Sequence, residues 1–148
     1  MKEPYLRSVR LLAECYHAFE QMSGAGMRRA GLTPSQFDII ATLGNTPGMS
    51  CKELGEKTLI TKGTLTGVLD RLEARGLVQR VTQSQDRRST VIRLTAQGEK
   101  EFERVFKPHV DYCKQPFQGY SASDFAALEQ ALAKLKMHLE AALERPAA

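Results

Sequence analysis

The chain contains no tryptophan, and its 148 residues include only three cysteines and three histidines. Cys15, Cys51 and Cys113 are widely spaced, and no C-x-x-C pair or Cys/His ligand spacing occurs, which argues against a zinc site or a disulfide framework. No apolar run reaches the roughly 18 residues of a transmembrane helix, and the N-terminus lacks the apolar core and cleavage site of a signal peptide. We therefore expect a cytoplasmic protein without a metal, a cofactor or a membrane partner.

Catalytic motifs are also missing. The sequence has no nucleophile elbow, phosphate loop or pair of acids in a plausible pocket. His17, His109 and His138 each stand alone on a predicted helix. We predict no catalytic residue and expect that the protein is not an enzyme.

Excess positive charge is absent outside the middle of the chain. The formal net charge is +4, and residues 51–93 hold nine Lys/Arg and five Asp/Glu, so nine minus five accounts for the whole excess. A localised positive field is typical of proteins that bind the phosphate backbone of nucleic acids. A charge of +4 also suits an ordinary soluble surface, so charge alone leaves both alternatives open.

Apolar residues at three- and four-residue spacing predict six helices, and the length suits one domain or one domain with an oligomerisation element. The first helix spans 4–28, the fifth spans 96–117, and the last carries a stripe from Phe125 to Leu143. Thr33 with Gln36 and Ser50 with Glu53 have the spacing of capping boxes. The remaining predicted N-caps are Thr61, Thr95 and either Ser121 or Ser123.

After the fourth helix, the spacing of the apolar residues changes from that of a helix to that of a strand. Residues 77–83 and 89–95 alternate or are β-branched, with the polar run SQDRR between them, which predicts a β-hairpin. Two short helices followed by a hairpin predict a winged helix-turn-helix. The expected fold is therefore mainly α with a small β-wing, flanked by long N- and C-terminal helices.

The fourth helix has one apolar face and one small or polar face, as a helix in the DNA major groove requires. Two glycines on this face cost helix stability, and close approach to DNA would explain them, although Gly63 also lies in the tolerant first turn. We expect Arg87 and Arg88 at the hairpin tip to reach phosphates or the minor groove. We expect Asp86 to pair with Arg80 or Arg88 and shape the tip; the alternative is an incidental ion pair on a solvated loop. The predicted DNA-binding residues are Lys52, Thr61, Lys62, Gly63, Thr64, Thr66, Gly67, Arg71, Arg87 and Arg88.

The stretches DRLEARGLVQR, DRRS and IRLTAQG resemble the signature of the MarR family of bacterial transcription regulators. The residues that carry the resemblance are Gly76, Val78, Arg80, Asp86, Arg88, Leu94, Thr95 and Gly98. Many members carry an arginine or another long polar residue near Gly67, and this chain does not, so no base preference is carried over. Indirect readout of DNA shape then gains weight.

The resemblance implies a homodimer that binds double-stranded DNA at a pseudopalindromic operator, usually as a repressor. It assigns all of 1–148 to a single domain, with a winged helix-turn-helix lobe at about 33–98 and dimerisation helices at 1–30 and 99–145. The apolar stripes of the first and last helices agree with this, because they are too long to stand free at the chain ends; packing within one chain is the alternative.

The resemblance also implies release from DNA by a small aromatic or anionic effector bound between the dimer helices and the DNA-binding lobe. The candidate pocket residues are Tyr16, His17, Phe19, Met22, Met27, Phe37 and Phe117, although aromatic and methionine side chains at such positions are more often core. A peroxide-sensing branch of the family uses a cysteine in the first helix, where this chain has Cys15. Redox sensing by Cys15 is therefore the alternative function, although the partner tyrosines of that branch are missing and a buried inert thiol is favoured.

Overall fold

A computed structural model describes residues 3–82 and 90–145 of the chain. Helices predominate and one two-stranded sheet is present, which confirms the mainly α fold with a small β-wing. The elements are α1 (Pro4–Arg29), α2 (Pro34–Leu43), α3 (Cys51–Thr58), α4 (Lys62–Ala74), β1 (Val78–Thr82), β2 (Thr90–Leu94), α5 (Ala96–Cys113), a 3-10 turn (Gln115–Phe117) and α6 (Ala122–Leu143). The chain forms two compact units, Met1–Cys113 and Lys114–Ala148.

Side-chain caps fix the starts of α2 and α3. In α2, Thr33 Oγ1 accepts from the N–H of Gln36 (3.2 Å), while the Gln36 side chain accepts from the N–H of Thr33 (3.1 Å), as predicted. In α3, Ser50 Oγ accepts from the N–H of Glu53 (3.1 Å), but the Glu53 carboxylate pairs with Lys57 (3.6 Å). Only half of that predicted capping box therefore forms.

Thr61 is the N-cap residue of α4 as predicted but lacks the side-chain cap, and one predicted helix end is wrong. Thr61 makes no side-chain cap to α4, because its hydroxyl donates to Thr64 Oγ1 instead (3.2 Å). The predicted helix 96–117 ends at Cys113 and gives way to the 3-10 turn. Pro116 explains this end, because proline has no N–H to donate and disfavours α conformation in the residue before it.

The core of the first unit lies between α2, α3, α4 and the wing. Each predicted apolar face is buried: Phe37, Ile40 and Leu43 on α2, Leu54 on α3, and Leu65, Val68, Leu69 and Leu72 on α4. Burying each such side chain contributes about 1.5–3 kcal/mol. This core fixes α3 and α4 as a helix-turn-helix, with Leu59 between them in a left-handed conformation (φ 60°).

The wing is an antiparallel pair in which Val78 faces Leu94 and Thr82 faces Thr90. A third segment joins its edge, because Met49 and Ile92 exchange two backbone hydrogen bonds of 3.0 and 2.8 Å. The strands therefore continue directly from the packed core, and the tip between Thr82 and Thr90 lies outside the described residues.

The joint between the wing and α5 explains the T-x-x-G part of the sequence signature. Thr95 Oγ1 donates to the carbonyl of Gly76 (2.5 Å) and accepts from the N–H of Gly98 (3.0 Å), so Thr95 caps α5 as predicted and ties it to the end of α4. A Cβ on Gly98 would lie 2.0 Å from the carbonyl oxygen of Leu77. A glycine is therefore required there for α5 to approach the backbone.

The helices at the two ends of the chain leave large apolar surfaces uncovered. On α1, the predicted stripe Tyr5, Val9, Leu12, Tyr16 and Phe19 is exposed. In the second unit, Ser121 forms a capping box with Asp124, and α6 has 22 residues and no buried residue. Its predicted stripe is exposed at Phe125, Leu128, Leu132, Leu139 and Leu143 and partly covered at Leu135. In the part of the chain that is described, no helix has both the length and the apolar character to cross a bilayer.

Candidate nucleic-acid interface

A strip of small and positively charged residues lies on the exposed side of α4, next to the acids Asp70 and Glu73. Four leucine and valine side chains hold the opposite side in the core, so the helix cannot turn this strip inward. We call the strip the reading face; its members, all exposed, are Lys62, Gly63, Thr64, Thr66, Gly67 and Arg71. Lys52 on α3 and Thr61 at the start of α4 are exposed as well. The structure thus brings together the predicted DNA-binding residues that it describes.

The two glycines of the reading face are not required by packing. Among residues 3–82 and 90–145, no heavy atom lies within 4 Å of the position that a Cβ would occupy at Gly63 or at Gly67, and neither glycine has a left-handed φ. An interior helical glycine costs about 0.8–1.0 kcal/mol relative to alanine. Nothing in the free chain offsets that cost at Gly67, so the chain gains nothing in stability from glycine there.

Threonine hydroxyls on this side are held by local hydrogen bonds. Thr61 Oγ1 donates to Thr64 Oγ1 (3.2 Å), and Thr66 Oγ1 donates to the carbonyl of Lys62 (3.5 Å). These bonds engage the hydroxyls and leave the methyl groups of the exposed residues Thr64 and Thr66 for other contacts. Such methyl groups suit apolar contact with the methyl of thymine in the major groove.

Arg80 on β1 anchors the wing to α4. Its guanidinium donates to Asp70 (2.9 Å) and Glu73 (2.5 Å), two acids on the helix rather than on the wing tip. Partial burial acts to lower the pKa of Arg80, but the hydrogen bond to Asp70 and the charges of both acids outweigh it and raise the pKa. Arg80 therefore shapes the wing through α4, a pairing that the sequence analysis did not anticipate. Asp86, Arg87 and Arg88 lie outside the described residues, so their predicted roles stay predictions.

A cleft of about 620 Å³ lies in the first unit beside the reading face. Its walls come from the second half of α1, the start of α2 and the α3–α4 turn. The lining residues are Tyr16, His17, Phe19, Glu20, Gln21, Ser23, Gly24, Met27, Arg28, Pro34, Ser35, Asp38, Thr58, Leu59, Ile60, Thr61 and Thr64. The volume is in the range of small-molecule pockets. Thr61 and Thr64 belong both to this wall and to the predicted DNA-binding set.

The cleft carries two acids that the sequence analysis missed. Burial, and then the charge of Glu20, raise the pKa of half-buried Asp38. A hydrogen bond to Glu20, with burial and the charge of Glu20 after it, raises the pKa of Tyr16. The signal in the sequence was weak, because Glu20 follows Tyr16 by one helical turn but Asp38 is on a different helix.

The candidate effector residues separate into two groups. Tyr16, His17, Phe19 and Met27 line the cleft, whereas Met22 and Phe37 do not. Phe37 lies in the core instead, because α2 turns this residue inward against His109, with 4.4 Å between ring centroids. Phe117 belongs to the second unit, where its ring contacts Tyr120 and Phe125.

His109 on α5 joins the packing of α1 and α2. Its Nε2 lies 3.0 Å from the Oγ of buried Ser23 and 3.4 Å from the Sγ of Cys113. Burial lowers the pKa of His109, so the neutral ring is favoured. We interpret this residue as part of the structural packing between the helices.

Cys15 is exposed on α1, which contradicts the expectation of a buried thiol. Access alone does not activate a thiol, which also needs a neighbour that lowers its pKa. Among residues 3–82 and 90–145, none forms a hydrogen bond or ion pair with Cys15, and the adjacent Tyr16 bonds Glu20. Nor does this part of the chain bring together three or more potential metal ligands.

An exposed helix-turn-helix followed by a wing defines a winged-helix DNA-binding protein, and comparisons with known proteins agree. The family model of the MarR family matches residues 32–90. The regulator PecS of Dickeya dadantii is 33% identical over 111 residues, which cover 73% of this chain and 67% of PecS.

Two solved structures extend the likeness over most of the chain. AbsC of Streptomyces coelicolor has a TM-score of 0.83 at 24% identity, covering 95% of this chain and 97% of its own, and it shows the fold. BpsR of Bordetella bronchiseptica has a TM-score of 0.76 at 25% identity, covering 88% and 98%. The chain belongs to the MarR family of DNA-binding transcriptional regulators, and the proteins it matches are regulators rather than enzymes.

Proposed function

We propose that the chain is a ligand-responsive repressor that binds a pseudopalindromic operator as a homodimer in the cytoplasm. The whole chain then serves one function: a winged lobe at about 33–98 binds DNA, and the helices at 1–30 and 99–145 dimerise. The observation that carries the proposal is that one chain has both a charged, glycine-bearing reading face and exposed apolar surfaces on the helices at its two ends.

The apolar stripes support the homodimer. An exposed face of several leucine, tyrosine and phenylalanine side chains on α1, and a second one on α6, exceeds the scattered apolar residues of an ordinary monomer surface. A second copy of the chain offers the same surfaces, and most soluble oligomers are symmetric homo-oligomers. Two-fold symmetry would place two reading faces about one DNA turn apart, which predicts the pseudopalindrome.

The reading face and the wing supply complementary contacts. Lys52, Lys62 and Arg71 would position the helix on phosphates, while Thr64 and Thr66 contact base edges. The glycines let the backbone approach the groove. Arg87 and Arg88 at the wing tip would extend the contacts into the adjacent minor groove, held in shape by Asp86 and by the anchoring of Arg80.

The cleft supports the response to a ligand. Thr61 and Thr64 line it and also belong to the DNA-binding set, so a molecule in the cleft and an operator in the groove would use the same segment. A ligand that displaces this segment lowers DNA affinity, and by linkage DNA lowers ligand affinity equally. The published structure of BpsR concerns regulation of its DNA binding by 6-hydroxynicotinic acid, a small aromatic acid. Release of the operator by a ligand would make this protein a derepressible repressor.

A gel-shift series with genomic fragments selected by the protein tests the proposal. We expect affinity to fall steeply with salt, because each phosphate contact contributes roughly 0.9 to the slope of log K against log [salt]. Arg88→Ala should weaken binding to all sequences and reduce that slope by about 1. Lys134→Ala, which removes a positive charge from α6, is the control and should change neither. An Arg88→Ala protein that binds as tightly as the unmodified chain would refute the wing assignment, and salt-independent binding would refute the phosphate contacts.

A further inference from the structure

We propose that the cleft beside the reading face binds a small organic amine through Glu20 and Asp38, and that it disfavours aromatic acids. This inference rests on the proposed ligand-responsive function and specifies the class of ligand. It rests on the geometry of the cleft, on two acids that form no salt bridge with any described residue, and on the apolar side chains around them.

The two acids share one part of the cleft. Glu20 is on α1 and Asp38 on α2, both line the cleft, and burial together with the charge of Glu20 raises the pKa of Asp38. In the described part of the chain, no lysine, arginine or histidine forms a salt bridge with either carboxylate. A half-buried carboxylate next to a second one, without a cation, is an unfavourable arrangement that a bound cation relieves.

Arg28 also lines the cleft, and in the described part of the chain it forms no salt bridge with either acid. It follows Glu20 by eight residues on α1, which corresponds to about 12 Å along the helix axis. Its guanidinium lies against Gly24, where an added Cβ would be 3.2 Å from Nη1. Gly24 is one helical turn from Glu20, so the guanidinium lies closer to the acids than the Arg28 backbone does, but it is not among the charges that shift the pKa of Asp38.

The apolar side chains select an organic cation over a metal ion. Large apolar side chains also line the cleft, namely Phe19, Met27, Leu59 and Ile60. Ca²⁺ takes six to eight oxygen ligands and Mg²⁺ an octahedron of them, whereas two carboxylates and the hydroxyl of Tyr16 supply few. A protonated amine on an aromatic or aliphatic body matches both parts of the cleft, because its nitrogen donates to the carboxylates and its body contacts the apolar wall.

Calorimetry with matched probes tests the proposal on the full-length protein. Tryptamine and indole-3-propionate share the indole ring and differ in the sign of the charge, and phenethylamine and 3-phenylpropionate form a second pair. We expect each amine to bind at least tenfold more tightly than its partner acid. Charge-assisted hydrogen bonds of this kind correspond to roughly a ten- to hundredfold change in affinity.

Two variants and a control locate the effect. Asp38→Asn and Glu20→Gln should each weaken amine binding about ten- to hundredfold without weakening the acids. Glu20 is exposed, so Glu20→Gln keeps the test valid if Asp38→Asn impairs folding. Glu14→Gln, which removes an acid of α1 that pairs with Arg10 outside the cleft, should leave both probes unaffected.

Equal or tighter binding of the acids, or an amine preference unchanged in both variants, would overturn the proposal. If millimolar Ca²⁺ displaces tryptamine, and if this displacement requires both carboxylates, the acids bind a metal ion and the proposal is overturned as well. A gel shift distinguishes failure of the amine class from failure of the proposed ligand response. If indole-3-propionate binds and releases the operator, the ligand response stands and the amine class fails. If neither probe pair binds while DNA still does, the ligand response through this cleft fails too.

Discussion

Replacing Gly67 by alanine should stabilise the protein and weaken its hold on DNA. Gly67 lies inside α4 and has an ordinary φ, and no atom of the described residues lies within 4 Å of the position of the added methyl. The change therefore removes the propensity penalty of an interior glycine, about 0.8–1.0 kcal/mol, without a clash. For a chain of this size that gain raises Tm by roughly 2–4 °C.

DNA affinity should change in the opposite direction. If the backbone at Gly67 approaches the major groove closely, the methyl group occupies space that base edges or phosphates need. Overpacking a fitted interface by one methyl costs about 1–3 kcal/mol, which corresponds to a roughly five- to 140-fold loss of affinity. A stabilised helix that binds less well would separate this effect from any loss of folding.

Thermal unfolding and gel shifts on the same preparations provide the assay. Gly119→Ala, in the turn before α6, also adds a methyl to open space and should leave DNA affinity unchanged. If Gly67→Ala gains stability and binds DNA as before, the reading face does not touch the duplex at this residue. If Gly67→Ala loses stability, the added methyl group does not enter open space, and the reasoning about Gly67 fails whatever the effect on DNA binding.

Two further changes test the helices. Leu132→Asp on α6 should weaken the dimer at least about a hundredfold in analytical ultracentrifugation, because each buried leucine contributes about 1.5–3 kcal/mol and is lost twice per dimer. Lys134→Asp, on the other side of α6, should not weaken the dimer. Equal sedimentation of both variants would count against the interface. Burial lowers the pKa of His109 below its ordinary 6.5. As the pH falls, the imidazole of the unfolded chain therefore binds a proton before that of the folded chain. His109 does not diminish the free energy of unfolding above about pH 6.5 and lowers it below that pH. The drop in Tm between about pH 7.5 and about pH 5.5 should therefore be smaller in His109→Gln than in the unmodified protein, and an equal drop would show that another group is responsible.

The winged lobe was predictable because its signals are local. The four apolar residues of α4 recur at helical spacing, and all four are buried. Thr33 and Gln36 have the spacing of a capping box and form one. The alternation before and after the wing tip predicted both strands, since side chains on a strand point to alternate faces and only one face meets the core.

What the sequence could not predict depends on contacts between distant segments. Arg80 pairs with Asp70 and Glu73 because β1 folds back along α4, and no spacing rule links a strand to a helix face. The meeting of Glu20 and Asp38 likewise depends on how α1 crosses α2. Thr61 has the right residue type for a cap, but bonding to a neighbouring hydroxyl competes with it, and that competition is decided by side-chain rotamers.

Hydroxyl-radical footprinting of the protein on a selected genomic fragment, with the mass of the same complex measured, tests the central claim most directly. The account predicts two protected patches on one face of the duplex, about 10 base pairs apart centre to centre, and two chains per binding site. A single protected patch, or one chain per site, would contradict a homodimer that presents two reading faces to a pseudopalindrome.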